Sequence, residues 1–336
     1  MSSYKVLMYS FKGGAGRTVT MANVAYILAK EMGRRVLCVD LDTESAGASV
    51  MFDVKKAVDN EEVWTLQDIL RGSFEPRMRE NQPPRGGVQS IVLGRGDFAT
   101  ALWPKLHVRL WPNEDSAASG DGYLDFVPAR TITSSTSEKS ASSYEAQQNF
   151  TTLLRKVNNG LEEPPDIILF DSAAGQQDTA LLGMSNSNML AVFVRWSRQF
   201  VYGTIDFLND YITKDAEMSG RLDKVFLIPT AVPQVQPEGG LAARLKDRQE
   251  NVAFTVRGIN GKARNSSLIK LLDPIPECAG LKWDDQIFLM DDHENFDDDV
   301  QTVIEAYRSL AKEIVEQSEI QKTRIAQTIP SAAGRQ

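Results

Sequence analysis

The chain has 336 residues, 42% hydrophobic and 24% charged, a balance typical of soluble globular proteins with room for one large α/β domain or two small ones. Its net charge of −8 argues against strong sequence-independent affinity for nucleic acid, which needs several Lys or Arg facing phosphates, although a local basic patch stays open. No apolar run approaches the roughly 18–20 residues that span a bilayer. The N-terminus lacks the basic, apolar and small-residue regions of a signal peptide. The only two cysteines, Cys38 and Cys278, are far apart, so the expectation is a reduced, cytoplasmic setting with no membrane partner.

In chain order, residues 6–9 are apolar and end in a glycine-rich turn. Residues 18–32 then carry Met21, Val24, Ala25, Leu28 and Ala29 at helical spacing, with Gly33 as a stop. Residues 35–39 read as a second buried strand, so the opening is strand–loop–helix–strand. Two stretches, 72–100 (rich in Pro, Gly and Arg) and 130–143 (rich in Ser and Thr), read as exposed, mobile insertions. Between them, 108–111 and 124–127 are candidate strands of the same sheet. Further apolar strands are expected at 167–170, 189–194 and 225–228, with helices at 178–184 and 201–212 between them. A last helix is expected at 300–317, followed by a polar tail. The predicted fold is α/β, a doubly wound, mostly parallel sheet with helices on both faces. As domains, the sequence reads as one unit over 1–320, with insertions at about 54–105 and 130–145, and a flexible tail at 321–336.

Residues 12–18, KGGAGRT, carry the chemistry. Glycines let successive backbone N–H groups turn inward, and the following helix presents its positive N-terminal end, which together suit a phosphate tail. Lys12, Gly13, Gly14, Ala15, Gly16, Arg17 and Thr18 lie between a strand and a helix, and the expected ligand is Mg-ATP. Arg17 keeps a positive charge at the usual P-loop lysine position, but its planar fork is not equivalent to an ammonium. Thr18, first on the helix, is placed to offer its hydroxyl to Mg²⁺. Asp40 and Asp42 end the second strand, and Asp171 ends the strand IILFD. Parallel strands put these ends on one rim, where three carboxylates can hold a hydrated Mg²⁺. Each Asp taken singly also suits a helix cap or a turn.

The combination of KGGAGRT, VDLD and IILFDSAAG resembles the ParA/MinD family of deviant-Walker P-loop ATPases, in particular the branch with a KGGVGR-type loop. The likeness covers 4–53 and 164–215, with weaker traces at 223–229 and 274–290. It implies a homodimer that sandwiches ATP, with slow hydrolysis acting as a timer. By this resemblance Lys12 reaches the partner's phosphates, and Arg17 takes the in-cis lysine role. Asp42 orients the attacking water, while Thr18, Asp40 and Asp171 serve the metal. The residues from Lys12 to Val19, together with Pro276, would contact the nucleotide. Departures from the pattern are Arg17 itself, Thr43 and Glu44 after Asp42, and Pro229 and Thr230 where many relatives carry an Asn for the base.

Other features have two readings each. Arg195, Trp196, Ser197 and Arg198 form either a partner hot spot or a Trp packed beneath its own loop. Arg244, Lys246, Arg248, Lys262, Arg264 and Lys270 make the most basic stretch, either a DNA contact or a solvated helix face. The acidic run 291–299 lacks the spacing of an EF-hand loop. Three functions stay open: a dimerising ATP switch with weak ATPase activity that recruits a partner protein, a module that holds nucleotide without turnover, and a DNA-partition or positioning ATPase. The acidic balance disfavours nucleic acid.

Overall fold

The computed structural model describes residues 2–71, 98–112, 121–130, 143–175, 177–211, 221–235, 239–263, 265–282, 287–288 and 296–328. Most of the two predicted insertions, the first part of the acidic run and the end of the polar tail therefore lie outside the described residues.

The apolar runs of the sequence become strands β1 (Tyr4–Tyr9), β2 (Arg35–Asp40), β3 (Val108–Trp111), β4 (Tyr123–Val127), β5 (Ile167–Asp171), β6 (Met189–Arg195), β7 (Lys224–Thr230) and β8 (Ile269–Leu271). Among the described residues they form one sheet in the order β3-β4-β2-β5-β1-β6-β7-β8. Every neighbouring pair is parallel except β3 with β4. Side chains alternate between faces along each strand. Val6 and Met8 of β1 join one core and Leu7 and Tyr9 the other, while Ile167 and Leu169 of β5 divide from Ile168 and Phe170 in the same way. Continuous apolar strands are thus explained by a sheet covered on both faces.

One face is covered by α1 (Arg17–Tyr26) and α10 (Asp298–Thr328), the latter through Val303, Ile304, Tyr307, Leu310 and Ile314. The other is covered by α6 (Ser143–Gly160), α7 (Asp178–Asn186), α8 (Arg198–Asn209) and α9 (Gly240–Asn260). Short helices α2 (Gly47–Met51), α3 (Lys55–Asp59), α4 (Leu66–Arg71) and α5 (Trp103–Leu106) lie in and around the region read from sequence as an insertion. The predicted first helix is split: α1 passes into a π-helical turn, Ile27–Glu31, before Gly33 at φ 60 ends it. The last helix continues past Gln317 to Thr328. No helix among the described residues is long and apolar enough to cross a membrane.

Candidate functional site

The loop between β1 and α1 is shaped by its glycines. Gly14 (φ 76) and Gly16 (φ 74) both adopt the left-handed conformation that L side chains avoid. The start of the loop is fastened to α8. The ring of Phe11 packs so close to Gly203 that a Cβ there would meet it at 2.1 Å, and Lys12 Nζ donates to Gln199 Oε1 at 2.9 Å on the exposed side. Lys12 therefore turns outward, whereas Arg17 turns inward and is 8% exposed.

Inside, the Arg17 guanidinium gathers the ends of three strands. Its Nε donates to Asp171 Oδ1 at 3.1 Å and its Nη1 to Ser10 Oγ at 2.7 Å, while Nη2 lies 3.6 Å from Asp42 Oδ2. The second oxygen of Asp171 accepts from the Thr18 hydroxyl at 2.7 Å. Parallel register makes this possible: Asp40 and Asp171 stand opposite each other on β2 and β5, and Leu41 N donates to the Asp171 carbonyl at 2.7 Å. Asp42 also has local work, since its carboxylate accepts from Glu44 N, Ser45 N and Ser45 Oγ at 3.1, 3.1 and 2.9 Å. Asp42 is thus both a turn residue and a neighbour of Arg17.

Burial and like charge shift these carboxyls. Asp40 is fully buried, and its pKa is raised well above the ordinary range by desolvation and then by the charge of Asp171. It accepts from Asp42 N at 2.9 Å and, at 3.4 Å, from Ser49 Oγ, too little to offset that penalty. Asp171 is also raised by burial, but the Arg17 charge and the bonds from Thr18 and Arg17 oppose the shift. We assign the charge to Asp171 and the first proton to Asp40. A carboxyl whose folded-state pKa is raised keeps its proton after the unfolded chain has lost it. Its contribution to stability is thus greatest at acid pH and is lost as pH rises from the ordinary carboxylate range, about 4, toward the folded value. Asp40→Asn is therefore expected to be more stable than the wild type at neutral pH, with the gap closing toward pH ~4. Urea midpoints across that window check this, and parallel curves for the two proteins would contradict it.

A cleft of about 420 Å³ opens on the cleft-facing side of the loop. One wall is Gly14 through Thr20. The opposite wall is Thr230 and Ala231 at the end of β7, the 275–278 segment, and Leu281 and Tyr307, with Arg195 at the side. The 275–278 segment is held there because Ile275 N donates to Pro229 O at 2.8 Å and Glu277 N to Val232 O at 2.9 Å. The structure thus brings Gly14, Ala15, Gly16, Arg17, Thr18, Val19 and Pro276 to one cleft, with Asp171 behind Arg17. Lys12 and Gly13 do not line it, and Asp40 lies deeper, beneath the strand ends. Among the described residues, the buried Thr230 hydroxyl finds no hydrogen-bond partner.

One site feature has no signal in the sequence, and the Arg195–Arg198 stretch resolves between its two readings. Ser10, an unremarkable polar residue before the motif, anchors Arg17 and donates to the Lys12 carbonyl at 2.9 Å. Arg195 is a cleft wall residue. Trp196 is 7% exposed and packs into the core behind its loop, so it is no exposed hot spot. Among the described residues, no three His, Cys, Asp or Glu side chains gather into a metal site. A Mg²⁺ here would draw most of its ligands from phosphate and water. The Thr18 hydroxyl beside a charged Asp171 fits that demand.

A parallel sheet with a glycine-rich loop opening a helix at its carboxyl rim defines the phosphate-loop α/β class of nucleotide-binding proteins. Within that class, the chain belongs to the CobQ/CobB/MinD/ParA nucleotide binding domain family, which it matches over residues 6–330. Solved structures of similar fold include MinD from Pyrococcus horikoshii complexed with Mg-ADP (17% identity, 94% of this chain and 96% of that one, TM-score 0.55). They also include a variant of McdA from Cyanothece in complex with ATP (16%, 95% and 96%, TM-score 0.56). A third is pNOB8 ParA bound to nonspecific DNA (16%, 94% and 99%, TM-score 0.58). At these identities the likeness establishes the fold. No curated protein sequence matches the chain.

Proposed function

We propose that this chain is a nucleotide-operated switch that binds Mg-ATP in the 420 Å³ cleft, dimerises around it, hydrolyses it slowly and so engages and releases a partner protein. The observation that carries this reading is the divergence of the two loop cations. Arg17 faces inward, whereas Lys12 leaves its own cleft and rests on Gln199 at the surface. A lysine so placed can reach the phosphates of a second subunit.

In this reading, the backbone N–H groups of Gly13 to Val19 and the start of α1 hold the phosphates. Arg17 supplies the in-cis positive charge, and the Thr18 hydroxyl, steadied by Asp171, is the chain's ligand to Mg²⁺. The metal's contribution is to neutralise charge on the phosphate oxygens. Asp42, only partly buried at the mouth of the site, would orient a water, and Asp171, with Asp40 buried beside it on the neighbouring strand, would face the metal's water shell. Thr230, its hydroxyl unpartnered among the described residues, and Pro276 flank the base end. Phosphoryl transfer is chiefly positioning and charge stabilisation, so a site completed by a second subunit makes hydrolysis contingent on assembly.

DNA is disfavoured as the partner. The exposed Arg244, Lys246 and Arg257 of α9 are interleaved with Asp247 and Glu250, so the helix presents a mixed surface rather than a basic stripe.

Light scattering with ATP, with ADP and without nucleotide tests the switch. The expected result is a dimer with ATP alone, reverting to monomer in Lys12→Ala. A monomer under all three conditions, with hydrolysis unchanged in Lys12→Ala, would overturn it. Repeated turnover that is lost in Asp42→Ala separates the switch from a module that merely holds nucleotide.

A further inference from the structure

The carboxylate side of the cleft is already occupied by a cation of the chain itself. Both oxygens of Asp171 are taken, one by Arg17 Nε at 3.1 Å and the other by the Thr18 hydroxyl at 2.7 Å. Asp42 is spent on Glu44 and Ser45, and its Oδ2 faces Arg17 Nη2 at 3.6 Å. The guanidinium cannot easily swing away. Ser10 holds its Nη1 at 2.7 Å, and the side chain is 9% exposed. A lysine ammonium on its flexible stem would hold one such acceptor at a time, whereas the planar fork of Arg spans them.

We propose that Arg17 closes this carboxylate rim to free divalent cations, so that a metal ion enters only together with the negative charge of a phosphate tail. The inference rests on the nucleotide-cleft reading above and adds an order of events to it. A bare dication approaching Asp171 meets a positive charge in direct contact with the carboxylate, and finds both carboxylate oxygens committed. A di- or triphosphate reverses this balance. Its charge attracts the guanidinium donors that remain unused and supplies oxygen ligands, which the Thr18 hydroxyl completes. The arrangement would keep the chain from holding the metal without its nucleotide.

Mn²⁺, read by its electron paramagnetic resonance signal, is the probe, used without nucleotide on the full chain. Arg17→Met removes the charge and keeps much of the apolar stem, while Arg17→Lys keeps the charge. The expected result is one additional Mn²⁺ site in Arg17→Met, at least about tenfold tighter than any site at this position in the wild type or Arg17→Lys. It should be lost again in Arg17→Met with Asp171→Asn. Tying the site to Asp171 separates it from adventitious binding to the acidic run. Equal Mn²⁺ binding in the wild type and Arg17→Met overturns the proposal. If Arg17→Met does not fold, the comparison of wild type with Asp171→Asn decides. Identical Mn²⁺ binding supports the closed rim, and weaker binding in Asp171→Asn shows that the rim was open. Titration of the wild type with Mg-ADP runs beside these measurements. Absence of any Mg-ADP binding defeats the nucleotide reading itself, whereas normal Mg-ADP binding with an open rim defeats only this inference.

Discussion

Asp171→Ala should destabilise the chain by about 3–5 kcal/mol, the range for removing one partner of a buried ion pair. Asp171 is fully buried and carries two bonds at once, from Arg17 Nε and from the Thr18 hydroxyl. With the carboxylate gone, the guanidinium keeps Ser10 and the more distant Asp42, in a setting where it is 8% exposed. Most of the loss is thus the desolvation of a positive charge left behind, not the worth of the pair itself. Relief of the repulsion between Asp171 and Asp40 works the other way, since the pKa of Asp40 is raised partly by Asp171. Burial is the larger cause of that shift, so the relief is the smaller effect. Urea unfolding at neutral pH with an unchanged m-value measures the difference. A loss below about 1 kcal/mol would mean that the Arg17–Asp171 contact is incidental. Asp171→Asn, which keeps an acceptor for one of the two donors, should fall between the wild type and the alanine variant.

This network could be read only partly from sequence. Asp40, Asp42 and Asp171 were visible as the last residues of apolar runs, and parallel pairing brings such ends to one rim. Their partners were not visible. Nothing in the residue pattern marks Ser10 as the acceptor for Arg17, because a hydroxyl before a glycine-rich loop is a common residue whose role depends on tertiary placement. The strands were legible because burial on both faces demands unbroken apolar runs. Helices were less so. In α6, Phe150, Leu153, Leu154 and Val157 do follow helical spacing, yet the segment is polar overall and follows a Ser/Thr-rich stretch, which masks its start. The short helices α2, α3 and α4 each run five or six residues, too few for a period to emerge. Trp196 shows a different limit. Its arginine neighbours leave a surface residue and a Trp beneath its own loop equally open in the sequence, and only tertiary placement decides for the second.

The division of labour within the loop leads to the second large effect. Gly14 and Gly16 are left-handed, and an added Cβ at either would meet no atom within 4 Å. Their requirement is therefore conformational, not steric. A β-branched side chain in that region is strained, at a cost on the order of 1–3 kcal/mol. The chain escapes the strain by rotating the peptide, and the N–H groups that should face the phosphates then turn away. Gly16→Val is accordingly expected to leave the chain folded and to weaken Mg-ADP binding about 100-fold or more, since each 1.4 kcal/mol of lost contact is tenfold in affinity. Gly13 is the internal comparison, because it has equal space around it and no positive φ. Gly13→Ala should therefore unfold at the wild-type urea midpoint, and any loss of affinity in it reports close approach of the phosphate alone. Titration calorimetry of Gly13→Ala and Gly16→Val, with unfolding measured in parallel, distinguishes the two demands. Equal affinities for Gly16→Val and the wild type would show that the loop's amides do not hold the phosphate tail. The ligand would then have to be sought along the opposite wall, at Thr230 and Pro276.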